Sequence, residues 1–279
     1  MNYRHAFHAG SFADVLKHAV LALLIEHMKL KPAPFCLLDC HAGVGSYDLG
    51  GAEALKTLEW RLGIGRLLGP DAAPIPAAAA GVLAPYLDVV RAANASAALE
   101  TYPGSPAIAQ ALMRDGDRLL ANELHPDDHA ALADNFRHDR RVTVSARDGY
   151  QVLKALLPPK ERRGIVVVDP PFEVSDEFER LAEGLAQAMR RFATGTYLVW
   201  YPLKDRAAAA GLLASIAATG VDKTLIAEFY VRAPEAALLF NGCGLLLINP
   251  PFTLSQRLDI LMPFLTERLA QGPGARYRL

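Results

Sequence analysis

Cysteine is scarce in this chain. Three occur in 279 residues, Cys36, Cys40 and Cys243, an odd number with no metal-ligand spacing. That excludes a disulfide framework and a zinc ribbon and fits a reducing compartment, so a cytoplasmic protein with no bound metal is expected. Long apolar runs are missing too. The most apolar helical stretch, residues 19–25, is too short to span a bilayer. Met1-Asn2-Tyr3-Arg4-His5 is too polar for a secretory signal. No membrane partner is expected. Net charge is almost absent, at -1, so no global field announces a nucleic acid. Basic residues cluster only locally, at Arg137, Arg140, Arg141 and Arg147, at Lys160, Arg162 and Arg163, and at Arg190 and Arg191. Each cluster alone reads as a solvated face. There is no internal repeat, and no evident exposed apolar stripe calls for a partner copy, so a monomer is expected.

What is present is a pattern of strand ends. Val166-Val167-Val168-Asp169-Pro170-Pro171-Phe172 reads as a buried strand ending in an acid, two prolines and an aromatic. Methyl transfer to an exocyclic amine needs that order. The amine of adenine is a poor nucleophile because its lone pair is spread into the ring. The Asp169 carboxylate and the Pro170 carbonyl can accept its two N–H bonds and turn the lone pair outward. Two prolines hold those acceptors in a fixed extended bend. Phe172 offers a flat face for a base taken out of its stack. The bland alternative is a strand stopped by prolines. A near-copy, Leu247-Ile248-Asn249-Pro250-Pro251-Phe252, sharpens the choice between the two.

The surrounding pattern decides it. Strands are predicted at residues 35–40, 119–123, 141–145, 165–168, 196–200, 224–231 and 244–248. Helices are predicted at 15–29, 127–136, 182–192 and 206–218. This alternation implies a mostly parallel sheet with helices on both faces. Ser11-Phe12-Ala13-Asp14 looks like a capping box for the first helix, with Leu16, Val20, Leu23 and Leu24 on its apolar side. Between the first two strands lies far more chain than the roughly 30 residues of a βαβ unit. Its alanine and proline content, with Trp60, Tyr86 and many leucines and valines, predicts a helical insertion over about 49–102 that overhangs the pocket. The chain is otherwise one domain, 1–279.

Four successive strands deliver an acid at their carboxyl ends, where open α/β sheets bind ligands: Asp39, Glu123, Asp148 and Asp169. Gly43 and Gly45 follow Asp39 in a tight loop that lets the backbone approach a ligand. Glu123 suits two ribose hydroxyls, and Asp148, beside Gly149, suits an adenine amine. Any one acid can be a helix cap; four together point to a nucleoside cofactor. Asn249 ends a seventh strand that runs antiparallel in such sheets, so it points away from the cofactor and is assigned as a structural stop.

Several motifs carry a family resemblance over nearly the whole chain. They are Tyr3-Arg4-His5-Ala6-Phe7-His8-Ala9-Gly10, Asp14-Val15-Leu16-Lys17-His18, Asp39-Cys40-His41-Ala42-Gly43-Val44-Gly45, Tyr102-Pro103-Gly104-Ser105-Pro106, Glu123-Leu124-His125-Pro126 and Asp169-Pro170-Pro171-Phe172. The sequence resembles the bacterial ribosomal RNA large-subunit methyltransferase J family. The resemblance implies a Rossmann-like class I methyltransferase with a seven-stranded sheet. It implies S-adenosylmethionine as donor, S-adenosylhomocysteine as product, and an adenine N6 of 23S ribosomal RNA as acceptor, protein-free or in an early assembly intermediate. It places Lys17, His18, His41, Gly43, Ser105, Glu123, Asp148, Gly149 and Asp169 around the donor, with no metal. It places Asp169, Pro170, Phe172 and Tyr3 at the reacting amine, Tyr3 arriving on an arm whose Arg4 meets phosphate. The family commonly has Tyr where this chain has Phe172, which leaves that side chain only stacking. From the residues alone, Ser105 before Pro106 is a helix cap, His41 a strand partner, Lys17 a surface charge and Tyr3 a sheet-edge contact. A DNA adenine methyltransferase, or a catalytically silent RNA-binding protein of the same fold, remains the alternative. A methyl-incorporation assay separates them.

Overall fold

A computed structural model of the chain describes residues 4–96, 98–234 and 240–279. The first element after a 3-10 turn at His5–Phe7 is α1 (Phe12–Lys29). Then come β1 (Cys36–Asp39), β2 (Ser46–Asp48), α2 (Ala52–Thr57), α3 (Glu59–Leu62), α4 (Gly65–Leu68), α5 (Ala77–Ala92), β3 (Thr101–Pro103) and α6 (Ser105–Leu112). Strand–helix alternation follows with β4 (Arg118–Asn122), α7 (Pro126–Phe136), β5 (Val142–Ser145), α8 (Gly149–Ala155), β6 (Gly164–Val168), α9 (Glu177–Arg191), β7 (Thr196–Pro202) and α10 (Arg206–Ala217). The chain closes with β8 (Thr224–Tyr230), β9 (Gly242–Ile248), α11 (Leu254–Arg268) and β10 (Arg276–Arg278).

The main sheet has the order β10-β8-β9-β7-β6-β1-β4-β5. Strands β5, β4, β1, β6 and β7 are parallel, while β9 runs antiparallel to both β7 and β8. This is the expected Rossmann-like class I methyltransferase sheet, with eight strands among the described residues rather than seven. The extra one is β10, whose Arg276, Tyr277 and Arg278 are all exposed and pair only with β8. A strand held by backbone bonds at a wet edge carries no apolar alternation to read.

Two other expectations change. α1 is not amphipathic in its setting: all but three of its residues are buried, so it is covered all round. Its outer side is closed by α5, α6 and α11. The helices between β2 and β3 therefore cover α1, and none of their residues lines the pocket described below. The expected overhang gives way to this packing because the apolar side of α5, with Val82, Leu83, Tyr86, Leu87 and Val90 buried, needs an apolar partner, which α1 supplies. β2 and β3 pair antiparallel at the neck of this segment, Tyr47 opposite Tyr102. At the start of α1, Ser11 is the N-cap without a side-chain cap bond. Asp14 reaches past it to accept from the Gly10 N–H at 3.0 Å.

Asn249 lies at the amino-end edge of the parallel strands, opposite the ends of β1 and β6. Its Nδ2 donates to the carbonyls of Ala193 and Gly195, both at 2.8 Å, and its backbone is left-handed at φ 52°. Asn tolerates that conformation better than other non-glycine residues. Asn249→Ala should cost about 1–2 kcal/mol in urea unfolding, from two lost bonds and a strained Cβ. Unchanged stability would remove its assignment as a structural stop.

Candidate active site

The strand order reverses between β1 and β6, so the connections leaving their carboxyl ends diverge and open a crevice. A cavity opens there. It is lined by Lys17, His18, His41, Gly43, Ser105, Glu123, Asp148, Gly149 and Asp169, together with His5, Tyr47, Leu124, Asp128, Tyr150, Pro171, Glu177 and Arg180. All nine residues expected around the donor are thus brought together. Pro170 and Phe172 are not among the walls; Phe172 packs on Phe178 and edge-on to Trp200, at centroid distances of 4.7 and 5.8 Å. Tyr3 lies outside the described residues.

Lys17 is the central charge. Its Nζ bonds Asp169 Oδ2 and lies 3.1 Å from Asp14 Oδ1. Burial opposes its charge, but the two carboxylates outweigh it and hold the ammonium well above its usual range. Asp14 is buried as well, and its pKa stays far below normal because His5, Lys17 and His18 offset the burial. His5 Nε2 bonds Asp14 Oδ2 at 2.9 Å. Burial pulls His18 down to about 3, so it is neutral. Its Nδ1 meets the Tyr102 hydroxyl at 2.8 Å, which meets the Tyr86 hydroxyl at 2.9 Å. Lys17 is not the surface charge its helix position alone suggested.

At the other side, the backbone holds the acids. Glu123 Oε2 accepts from the Gly43 N–H at 2.9 Å and Oε1 from the His125 N–H at 2.8 Å. Gly43 has φ +60°, and a Cβ there would strike the Tyr47 hydroxyl, so the loop requires glycine. Asp148 caps α8 through the Tyr150 and Gln151 N–H groups, and its Oδ2 takes the Arg180 guanidinium at 2.9 Å. A Cβ on Gly149 would lie 2.3 Å from His41 Nε2. His41 is half-buried, and desolvation of its ring lowers it to about 4. Ser105 is the first residue of α6, and Gly104 is its N-cap. Ser105 therefore does not cap the helix, which corrects the cap assignment; its hydroxyl is near enough to Asp39 to favour that carboxylate's charge. Asp39 lies beneath the cavity, fully buried. Arg4 is engaged by Asp128 at 3.0 Å and Glu53 at 3.5 Å, rather than held free for a phosphate.

A family described as "Ribosomal RNA large subunit methyltransferase D, RlmJ" matches residues 32–278. A relative named ribosomal RNA large subunit methyltransferase J from Haemophilus influenzae is 42% identical over 277 residues, 99% of this chain and 96% of that one. Its namesake from Escherichia coli K12 is 41% identical over 269 residues, 96% and 94% of the two chains. The chain belongs to this family. A crystal structure of a Legionella pneumophila protein matches with a TM-score of 0.88 at 32% identity, over 97% of both chains. Membership makes the protein a methyltransferase and implies S-adenosylmethionine as donor.

The cavity fits that donor. Two glycines keep its walls free of Cβ atoms, and two polar atoms at it, Asp39 Oδ2 and His41 Nδ1, are buried without a hydrogen-bond partner. Sequence reasoning missed Asp14, Tyr47, Asp128, Tyr150, Glu177 and Arg180. Asp14 had a signal: with Lys17 and His18 it forms an i, i+3, i+4 set on one helical face.

Burial raises Asp39 from 3.8 to about 6, against the Ser105 hydroxyl and Lys17. The folded protein therefore holds this proton more tightly than the unfolded chain. The resulting stability is full below pH 3.8, declines as pH rises through 6 and is absent above. Asp39→Asn should gain stability relative to the parent across that window, by up to about 3 kcal/mol, and then hold a constant lead. Urea unfolding of the two proteins from pH 4.5 to 7.5 tests this; a pH-independent difference would refute the shift.

Proposed function

We propose that this enzyme transfers a methyl group from S-adenosylmethionine to the N6 amine of an adenine in 23S ribosomal RNA. The observation that carries this reading is Asp169 at the carboxyl end of β6. One oxygen is fixed by Lys17, the other has no protein partner among the described residues, and two prolines follow. The family name supports the RNA class, since both relatives are named for the large ribosomal subunit's RNA.

When bound, the donor supplies an electrophilic methyl carbon on a positively charged sulfur. Asp169 Oδ1 and the Pro170 carbonyl accept the two N–H bonds of the target amine and draw its lone pair out of conjugation. Lys17 fixes the carboxylate, so little reorganisation is needed at the moment of transfer. As the amine takes the donor's methyl group, leaving S-adenosylhomocysteine, the extra proton would pass to Asp169 Oδ1. A methylated aryl ammonium is so strong an acid that even a lysine-paired carboxylate accepts its proton. In this reading Glu123 holds the donor's ribose hydroxyls and Asp148 its adenine amine, and Gly43 and Gly149 allow its close approach. Lys17, His18, His41 and Ser105 shape the remaining wall. Phe172, at the rim, stacks on the extruded base. Tyr3 is assigned to the reacting amine on the resemblance alone.

The chain works in this reading as one methyltransferase domain, 1–279, with about 49–102 as an inserted subdomain. It acts as a cytoplasmic monomer on protein-free RNA or an early assembly intermediate and forms S-adenosylhomocysteine. The reading assigns no role to a metal, since methyl transfer to an amine needs no activated water. Activity should be the same with and without EDTA; a loss restored by zinc or magnesium would count against the scheme.

Labelled donor incubated with a 23S transcript, with DNA of the same sequence and without nucleic acid tests the function. N6-methyladenosine should form only in the RNA. Label in DNA alone makes the protein a DNA modifier, and none anywhere makes it a binding protein. Asp169→Asn should lower kcat on the order of a hundredfold or more in a folded protein. Glu123→Ala should weaken donor binding by about 1–3 kcal/mol in calorimetry, leaving the ribose hydroxyls unpaired. Wild-type values in either would remove that residue's role.

A further inference from the structure

A second depression lies on the same edge of the sheet, between α10 and the strands β8 and β10. Its walls include Arg206, Glu228, Tyr230, Arg276 and Arg278 over an apolar floor at Ala209 and Leu213. The register makes this a built surface. Arg276 stands opposite Tyr230 and Arg278 opposite Glu228, so the two arginines share one face of β10. The Arg276 guanidinium sits over the Tyr230 ring at 5.3 Å, and Arg278 bonds Glu228 at 2.9 Å. Glu228 also accepts from the Tyr201 hydroxyl at 3.2 Å. Among the described residues neither Arg206 nor Arg276 has a carboxylate partner. In the basic clusters conspicuous in the sequence, three arginines are tied down, while Arg140, Arg147 and Arg190 also lack a carboxylate partner among the described residues. Arg141 is clamped by Asp139, Arg137 is paired with Asp134, and Arg163 holds the carbonyls of Met28 and Ala33.

Position matters as much as charge. Tyr230 ends β8, and β8 is parallel to β7, so this groove opens at the same edge as Asp169. Three strand spacings, about 14 Å, separate the ends of β6 and β8. That is a few nucleotides of an extended strand. Guanidiniums without acid partners beside an aromatic ring fit a polyanion with flat bases.

We infer that the groove of Arg206, Arg276 and Arg278 binds the phosphate backbone of the RNA strand flanking the target adenine. The inference rests on the function proposed above. It explains how a chain with net charge -1 holds RNA: by a local cationic track rather than a global field.

The test is the salt dependence of binding to a protein-free, fluorescently labelled 23S transcript fragment. The Arg206→Ala, Arg276→Ala double variant should flatten the slope of log affinity against log salt by about 1.4, two single-strand phosphate contacts at about 0.7 each. Arg206→Ala alone, on the exposed first turn of α10, should give half that change, so the answer survives if the double variant unfolds. KM for the transcript should rise, while donor affinity and kcat at saturating RNA stay at parent values. An unchanged slope and KM in the folded variants would overturn the inference. So would a defect seen only on protein-bearing ribosomal particles, which would make the groove a protein contact. If the parent itself methylates no RNA, the proposed function has failed instead.

Discussion

Lys17 joins two parts of the chain far apart in sequence. It rises from the second turn of α1, and its ammonium lies between Asp14 of the same helix and Asp169 at the end of β6. All three are withdrawn from water, so the arrangement is stable only as a set. Removing one partner of a buried pair costs about 3–5 kcal/mol because a charge is left uncompensated. Asp14 is satisfied from several sides by the Gly10 N–H, His5 and Lys17. That lets it anchor the ammonium without wandering. The orientation of the Asp169 carboxylate is thus inherited from a helix more than 150 residues earlier.

The same logic explains why α1 is buried all round. A helix that must carry a buried Lys–Asp pair to the sheet's edge cannot fray, and α5 and α11 close its outer side. The helices between β2 and β3 contribute to the site through this packing rather than by covering the crevice. Glu123 shows the opposite solution. Its carboxylate is held by two backbone N–H groups, from Gly43 and His125, so the loop and the acid position each other. A mobile side chain there would have to be ordered each time a donor bound, at a cost in affinity.

Much of this was legible in the sequence because strand ends are. Asp39, Glu123 and Asp169 each stand at the end of a strand with a buried apolar run, Asp148 follows the half-exposed β5, and the parallel order then fixes where the acids meet. Direction was legible too: Asn249 follows a strand of the same composition, yet β9 runs the other way. What escaped were contacts between side chains far apart in sequence. Asp14 looked like a helix cap because the local pattern Ser-x-x-Asp is the same whether the acid turns back to the N-cap or inward to a lysine. Ser105 looked like a cap because the true N-cap, Gly104, carries no side chain to read. Strand β10 escaped for another reason. It buries none of its side chains, so no hydrophobic period marks it, and only pairing with β8 makes it a strand.

The two Pro-Pro-Phe segments show how far identical local chemistry can diverge. In the second, the left-handed residue is Asn249 itself, a residue type that adopts this conformation readily. In the first, the left-handed residue is Phe172, at φ 50°, three positions after Asp169. A bulky side chain there costs on the order of 1–3 kcal/mol and persists only where the surroundings over-determine it. Phe178 and Trp200 supply that constraint by packing on the ring. The strain therefore sits in the copy that ends at the cavity and is absent from the copy that merely stops a strand.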